Sequence, residues 1–374
     1  MTKSLITLFL AGLSALGVAA DLSPLDTYRL WRARNAAVTN SDGRAVEKVV
    51  EITLLLTTTK NLPPARAAEL QQLLNDLEQR LRLPPVAAVP PEMKPEDYAF
   101  AVPRREFLNV RFAATEGVSP ALQSLDVYAP PVGDRHPIIV WIHGGGMKAG
   151  DKAMPGVLAL KPDFFLARGF AFASINYRLA PTHKHPAQAE DTAAALAWLH
   201  EHARDFGGNP NNLFVIGISA GAHLAAVVST NERFLAKHQK APDIIRGAVI
   251  LDIGSFDIPN LMEQAGAKAP EMYRYTFRNG GTKEDWTDFS PFYHVMRGTG
   301  IPPMLLYYVA GRDHHAAENQ RFADRLKAEG YDATVLAAQN KTHLRIESEI
   351  GIPGDVPTKE ILGFIKKRRK AYSQ

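Results

Sequence analysis

A serine flanked by glycines closes an apolar run: Val215-Ile216-Gly217-Ile218-Ser219-Ala220-Gly221, followed at once by small residues from Ala220 to Ser229. This pattern predicts strand, sharp turn and helix, with Ser219 at the apex and its hydroxyl thrust clear of the sheet. A Cβ at either flanking position would crowd such a turn, so glycine is needed on both sides. A serine hydroxyl is a weak nucleophile at neutral pH. It needs a base, a group to orient that base, and donors for the oxyanion formed when it attacks a carbonyl. A second apolar run, Ile138-Ile139-Val140-Trp141-Ile142, enters His143-Gly144-Gly145-Gly146. Residues without side chains let backbone N–H groups approach a substrate oxygen closely. Gly144 and Gly145 are therefore the expected donors from this loop, and the Ala220 N–H is the third. His143 reads as a hydrogen bonder that organises the loop rather than as the base.

His143-Gly144-Gly145-Gly146, then Asn176-Tyr177-Arg178-Leu179-Ala180-Pro181, then Gly217-Ile218-Ser219-Ala220-Gly221 together resemble the α/β-hydrolase superfamily. Within it they resemble the hormone-sensitive-lipase-like and related bacterial carboxylesterase branch. The resemblance spans roughly residues 100–370, includes Asp285-Trp286 to Pro291, and leaves out 21–90. It implies a catalytic triad in the order Ser, Asp or Glu, His. At the matching positions stand Asp313, in Ala310-Gly311-Arg312-Asp313, and His343, in Gln339-Asn340-Lys341-Thr342-His343. In that reading His343 accepts the Ser219 proton and Asp313 holds its other ring nitrogen. Asp252, at the end of the preceding apolar run, is the rival acid. His314 and His315 are too near Asp313 in sequence to bridge acid and nucleophile, and read as solvated or as part of the pocket rim. His223, one turn into the helix after Ser219, reads as a satisfied core histidine.

Short apolar runs at 106–113, 122–128, 137–142, 171–176, 213–218, 248–252, 304–309 and 333–337 read as strands. Helical spacing occupies 157–168, 187–204, 220–231, 315–329 and 358–371. Strands that are almost wholly apolar and alternate with helices imply a mostly parallel sheet covered on both faces. Such sheets bind ligands at the carboxyl ends of their strands, where Ser219 lies. The expected fold class is thus α/β: a mostly parallel eight-stranded α/β-hydrolase sheet, with a small cap insertion at about 255–300 and a helical N-terminal extension. The insertion is rich in aromatics: Phe256, Tyr273, Tyr275, Phe277, Trp286, Phe289, Phe292 and Tyr293. These could wall a pocket, although for any single one of them ordinary packing is the simpler reading. Before residue 100, leucines 70, 73, 74, 77 and 81 recur at helical spacing, and Val49 to Leu56 is ambiguous between helix and strand. Pro84-Pro85 and Val89-Pro90-Pro91 form a stiff linker. The expected division is 1–20, 21–99 for extension and linker, and 100–374 for the catalytic domain.

The apolar run Leu5 to Val18, closed by Val18-Ala19-Ala20, has the form of a secretory signal. Cleavage after Ala20 would leave Asp21 first, an exported protein and no membrane anchor. The chain has no cysteine, which excludes disulfides, thiolate metal sites and a cysteine nucleophile. A formal charge of +4 is too mild to argue for nucleic acid. The basic run Lys366 to Lys370 stands at the end of a terminal helix, where cations are stabilised by the helix dipole. Glu190-Asp191 opens a helix, where acids are stabilised likewise. His183 and His185 lack a carboxylate at ligand spacing, so neither a metal nor another cofactor is expected. The expected activity is hydrolysis of small, uncharged, short-chain carboxylic esters through an acyl-enzyme on Ser219. An amide or formamide bond, or an acetyl group on a polysaccharide, would suit the same machinery. A non-catalytic binding protein on a hydrolase scaffold would have no need to keep the full set of groups.

Overall fold

The computed structural model describes residues 102–371 apart from Ala159, Ala269 and Pro353. It also describes 62–80 and scattered positions between Ser23 and Lys94. The expected signal segment, 1–20, lies outside the described residues, as does most of the proline-rich linker. No helix among the described residues is long and apolar enough to cross a membrane.

Two compact units emerge. The first takes its residues from the chain before Arg105, with Pro155–Arg168 and Ile350–Asp355. Its longest described element is α1, Pro64–Arg80, which buries Leu70, Leu74 and Glu78 along one stripe while Leu73 stays exposed. Of the ambiguous stretch 48–56, the described positions 48–49, 51–53 and 55–56 are helical. Arg104 pairs with Asp163 at 2.9 Å within this unit.

The second unit carries an eight-stranded sheet. Its strands are β1 Arg105–Arg111, β2 Ser124–Ala129, β3 His136–Ile142, β4 Ala171–Ile175, β5 Gly208–Ile218, β6 Ile245–Leu251, β7 Met304–Val309 and β8 Ala333–Ala338. All eight fall where the apolar runs place them. The spatial order is β1-β2-β4-β3-β5-β6-β7-β8. β1 and β2 pair antiparallel, as do β2 and β4. From β4 through β8 every pairing is parallel. Successive side chains of a strand point to opposite faces, and all of β2, all of β4 and all but the first residue of β3 are buried. The sheet is therefore covered on both sides.

Helices α2 Ala187–Glu201 and α3 Ala220–Thr230 pack against β5. Between β6 and β7 the insertion forms α4 Ile258–Ala265, α5 Glu271–Thr276 and α6 Lys283–Asp288. Helix α7, Asp313–Ala328, packs on β7 and β8, and α8, Val356–Ala371, on β6. In the basic run of α8, Arg368 pairs with Asp332. Because β3 to β8 run parallel, the loops after β3, β5, β6, β7 and β8 open on one edge of the sheet. The Gly-rich loop, Ser219, Asp252, Asp313 and His343 all leave the sheet there.

Candidate active site

Ser219 stands between β5 and α3 with φ 55° and ψ −119°. This backbone region is sparsely populated by residues with a side chain and stores about 1–3 kcal/mol of strain. The turn survives because its neighbours have no Cβ. One on Gly217 would lie 2.3 Å from the Gly221 carbonyl oxygen, and one on Gly221 would lie 2.2 Å from that of Ile142. The Ser219 N–H is tied to the Leu251 carbonyl at 2.9 Å, which fixes the elbow to the end of β6.

The Gly-rich loop lies directly against the elbow. A Cβ on Gly144 would stand 3.3 Å from that of Ser219. Gly145 has φ +106°, and a Cβ there would be 2.1 Å from the Ala149 carbonyl oxygen. Among the described residues, the N–H groups of Gly144, Gly145 and Ala220 donate to no protein acceptor. Gly144 and Ala220 are buried, where an unpaired backbone donor is uncommon and often marks a functional position, whereas Gly145 is exposed. His143 organises the loop as expected. Its Nδ1 lies 2.7 Å from the Gly144 carbonyl oxygen, its ring stacks on Tyr177 at 4.4 Å, and burial lowers its pKa.

The Asn-Tyr-Arg motif supports this loop from below. Tyr177 donates its hydroxyl to the His143 carbonyl at 3.0 Å. Asn176 Oδ1 accepts the Lys152 N–H at 2.6 Å, and its amide donates to Asp151 at 2.8 Å. Lys152 then dives inward to pair with Asp126 at 2.6 Å and Asn109 at 2.8 Å. Asp191 accepts from both the N–H and the Nε of Arg178 at 2.8 Å, and from Gln123. It is thus a buried partner of the motif's arginine and more than a charge at a helix start. The Lys152–Asp126–Asn109 cluster had no readable signal, because its members come from three separate segments. The insertion joins in where Tyr275 donates its hydroxyl to the Gly146 carbonyl. Its Phe256, Tyr273, Phe277 and Phe289 belong to the main hydrophobic core.

His343 follows β8 on a loop held by Glu349, which accepts from both Lys341 and Arg345. Its Nδ1 lies 2.6 Å from Oδ2 of Asp252. Here the structure corrects the sequence expectation. Asp313 is the first residue of α7, exposed, where its charge sits at the positive end of the helix dipole, and it does not bond His343. Asp252 sits instead at the end of β6 with a fully buried side chain and a left-handed backbone, φ +52°. Aspartate tolerates that conformation better than most residues. Its carboxylate is saturated with donors. Oδ1 accepts from the Val309 N–H at 3.1 Å and faces His315 Nδ1 at 3.0 Å; Oδ2 accepts from Arg312 at 2.8 Å besides His343. Burial opposes its ionisation, but the bonds from His315, His343 and Val309 outweigh that and hold Asp252 well below the usual carboxylate range.

His315 is accordingly not a rim residue: it reaches the same carboxylate as His343. His223 is fully buried, its Nε2 is 2.7 Å from the Phe289 carbonyl oxygen, and burial pushes its pKa down to about 4. His185 Nε2 lies 2.7 Å from Asp288, which Arg233 also binds. No hydrogen bond joins Ser219 to His343 here. Such contacts are often loose without substrate and tighten in the reacting complex. The arrangement offers a strained serine, a histidine oriented by a buried carboxylate, and open N–H groups beside the serine. Those are the parts that acyl transfer requires.

The chain is similar to the carboxylic ester hydrolase LipN of Mycobacterium tuberculosis, 40% identical over 120 residues, which are 31% of this chain and 30% of LipN. It is similar also to the esterase LipI of the same organism, 27% identical over 72% of this chain and 87% of LipI. The matched region spans only about a third of LipN and of the carboxylesterase NlhH, at 30% and 32%. Among solved structures, esterase B from Lactobacillus rhamnosis superposes with a TM-score of 0.57 at 19% identity, over 88% of this chain and 97% of that one. A truncated carbohydrate esterase from gut microbiota gives the same TM-score and identity over 71% and 96%. These likenesses carry the fold, an α/β-hydrolase sheet. The BD-FAE family model matches residues 125–314, half of the sequence, from β2 to the start of α7, and the chain belongs to that family.

Proposed function

We propose that this protein is a serine hydrolase that cleaves carboxylic esters through an acyl-enzyme on Ser219. The observation that carries the proposal is the buried Asp252 carboxylate 2.6 Å from His343 Nδ1, on the same sheet edge as the strained Ser219. His343 takes the serine proton as Oγ attacks the ester carbonyl, and its Nδ1–H stays on Asp252 throughout. The N–H groups of Gly144, Gly145 and Ala220 receive the oxyanion. The imidazolium then protonates the departing alcohol. Water repeats the cycle on the acyl-enzyme and frees the acid. The similarity to LipN, a carboxylic ester hydrolase, and to LipI, an esterase, supports this class of reaction. A fluorophosphonate probe tests it: stoichiometric labelling of Ser219, together with hydrolysis of p-nitrophenyl acetate, is the expected result. A protein inert to both would be a binding module.

Small, uncharged esters with short acyl chains are the substrates that fit. Among its described residues the insertion between β6 and β7 is three short α-helices and three single-turn 3-10 helices, and four of its aromatics are spent on the core. It offers little apolar surface to cover a long chain. A hydrophobic pocket discriminates by about 1–3 kcal/mol per methylene, so the preference is graded. Acetate and butyrate esters of p-nitrophenol are expected to give higher kcat/KM than the palmitate. Preference for long-chain emulsions with activation at the oil–water interface would overturn this.

Export is part of the proposal, on the strength of the Leu5–Val18 run and the small residues after it. The mature protein purified from the producing cell is expected to begin at or near Asp21 by N-terminal sequencing; an intact Met1 or Thr2 start would refute it.

A further inference from the structure

His315 has no part in the mechanism above, yet it is bonded to the same carboxylate as the base. Its Nδ1 lies 3.0 Å from Asp252 Oδ1, while His343 holds Oδ2 at 2.6 Å. The ring is mostly buried and sits tightly against the chain after β6: a Cβ on Gly254 would lie 3.0 Å from its Nε2. The groups around it are His314, with ring centroids 6.2 Å apart, Arg312, the exposed Asp313, and Glu318, which accepts from Ser255 at 3.1 Å.

We propose that His315 is a positioning residue for the hydrolysis assigned above, acting through Asp252 to fix the plane of the carboxylate and to limit the negative charge it presents to His343. The proposal rests on the reading of Ser219, His343 and Asp252 as the triad. Two physical effects carry it. The Val309 N–H and Arg312 already hold the carboxylate, and a third bond on Oδ1, from a side chain packed against Gly254, further restrains rotation about its Cβ–Cγ bond and keeps Oδ2 aimed at His343. Each donor to a carboxylate also draws off part of the charge felt by the others. That second effect matters because the base must be neutral to accept the serine proton. An uncompensated carboxylate at 2.6 Å would favour the imidazolium and hold the base protonated to higher pH. The first turn of α7 thus contributes a group that tunes the acid in place of the acid itself.

Removing one of the two Oδ1 donors, with the Val309 N–H left in place, leaves more charge on the carboxylate to support the imidazolium, and moves the rising limb of kcat/KM to higher pH. His315→Ala removes the donor. His315→Asn keeps one, because its amide nitrogen falls where Nδ1 stood. With p-nitrophenyl acetate and active sites counted by fluorophosphonate titration, His315→Ala is expected to lose about tenfold in kcat and to shift the limb upward. His315→Asn is expected to restore most of the rate and the original limb. An unchanged profile in His315→Ala overturns the proposal. So does an equal loss in both variants with an unmoved limb, which would mark His315 as packing only. Should the alanine variant not fold, His315→Gln, which fills the space of the ring but carries its amide beyond Oδ1, is read in its stead. A readout without turnover separates this from failure of the assigned activity. The low-field proton resonance of His343 Nδ1–H reports the bond to Asp252 even in an inert protein. It is expected to move between wild type and His315→Ala, and a resonance that does not move overturns the coupling.

Discussion

Ser219→Ala is expected to fold as the wild type does and to lose ester hydrolysis by on the order of a millionfold in kcat. The size follows from mechanism: without Oγ there is no acyl-enzyme, and only substrate binding and the oxyanion donors remain to assist water. The fold is spared because the hydroxyl makes no capping hydrogen bond to α3, while the backbone bond from Ser219 N–H to Leu251 stays in place. Alanine keeps the Cβ already tolerated at φ 55°, so stability should change by about 0.5 kcal/mol or less. Urea unfolding, fluorophosphonate labelling and kcat on p-nitrophenyl acetate check the three parts together. A variant that unfolds like wild type and still turns over ester at a comparable rate would remove Ser219 from the mechanism.

The elbow was legible because a local rule dictates it. Gly217 and Gly221 are required by carbonyls that their own segment and the neighbouring strand bring close. The eight strands were legible for the same kind of reason: a strand buried on both faces reads as a short, nearly continuous apolar run. Their ends moved by a few residues where polar positions join the ladder, as at Gly208–Asn212, which extend β5 ahead of its apolar part. The acid was not legible in this way. Two aspartates follow neighbouring strands, one directly after β6 and one at the start of α7, and choosing between them depends on where a loop from a third strand sets the imidazole. Spacing along the chain carries no information on that. The clue available was indirect: Asp252 closes a wholly apolar run, so its side chain had to be buried, and a buried carboxylate needs partners. His315 and Arg312 are those partners, together with His343. The cluster beneath the Gly-rich loop was hidden likewise, since Asn109, Asp126 and Lys152 meet only in three dimensions.

Asp252→Asn should therefore be the crippling change and Asp313→Asn the mild one. An amide at position 252 offers one acceptor where the carboxylate serves four donors. Its NH2 must face either His343 or His315 and Val309. If it faces His343, the imidazole must present a lone pair at Nδ1 and so carries its proton on Nε2, toward the serine, where it cannot accept one. Loss of the compensating charge also leaves the imidazolium unsupported during attack. A fall of about ten thousandfold in kcat is expected, with KM much less affected. The same substitution leaves the Arg312 guanidinium and the buried donors under-satisfied, so Asp252→Asn should also unfold at lower urea concentration. Rates must be expressed per folded molecule for that reason. Asp313→Asn removes only an exposed charge from the first turn of α7. That costs about 0.3–1 kcal/mol of helix stabilisation and should leave kcat within about twofold of wild type, since surface charges away from the reacting atoms contribute little. The two variants are compared in one assay, with kcat, KM and the unfolding midpoint measured for each. If Asp313→Asn proves the damaging change while Asp252→Asn retains its rate, the histidine loop must swing to the β7 turn during turnover, and the pairing of His343 with Asp252 belongs to the resting protein alone.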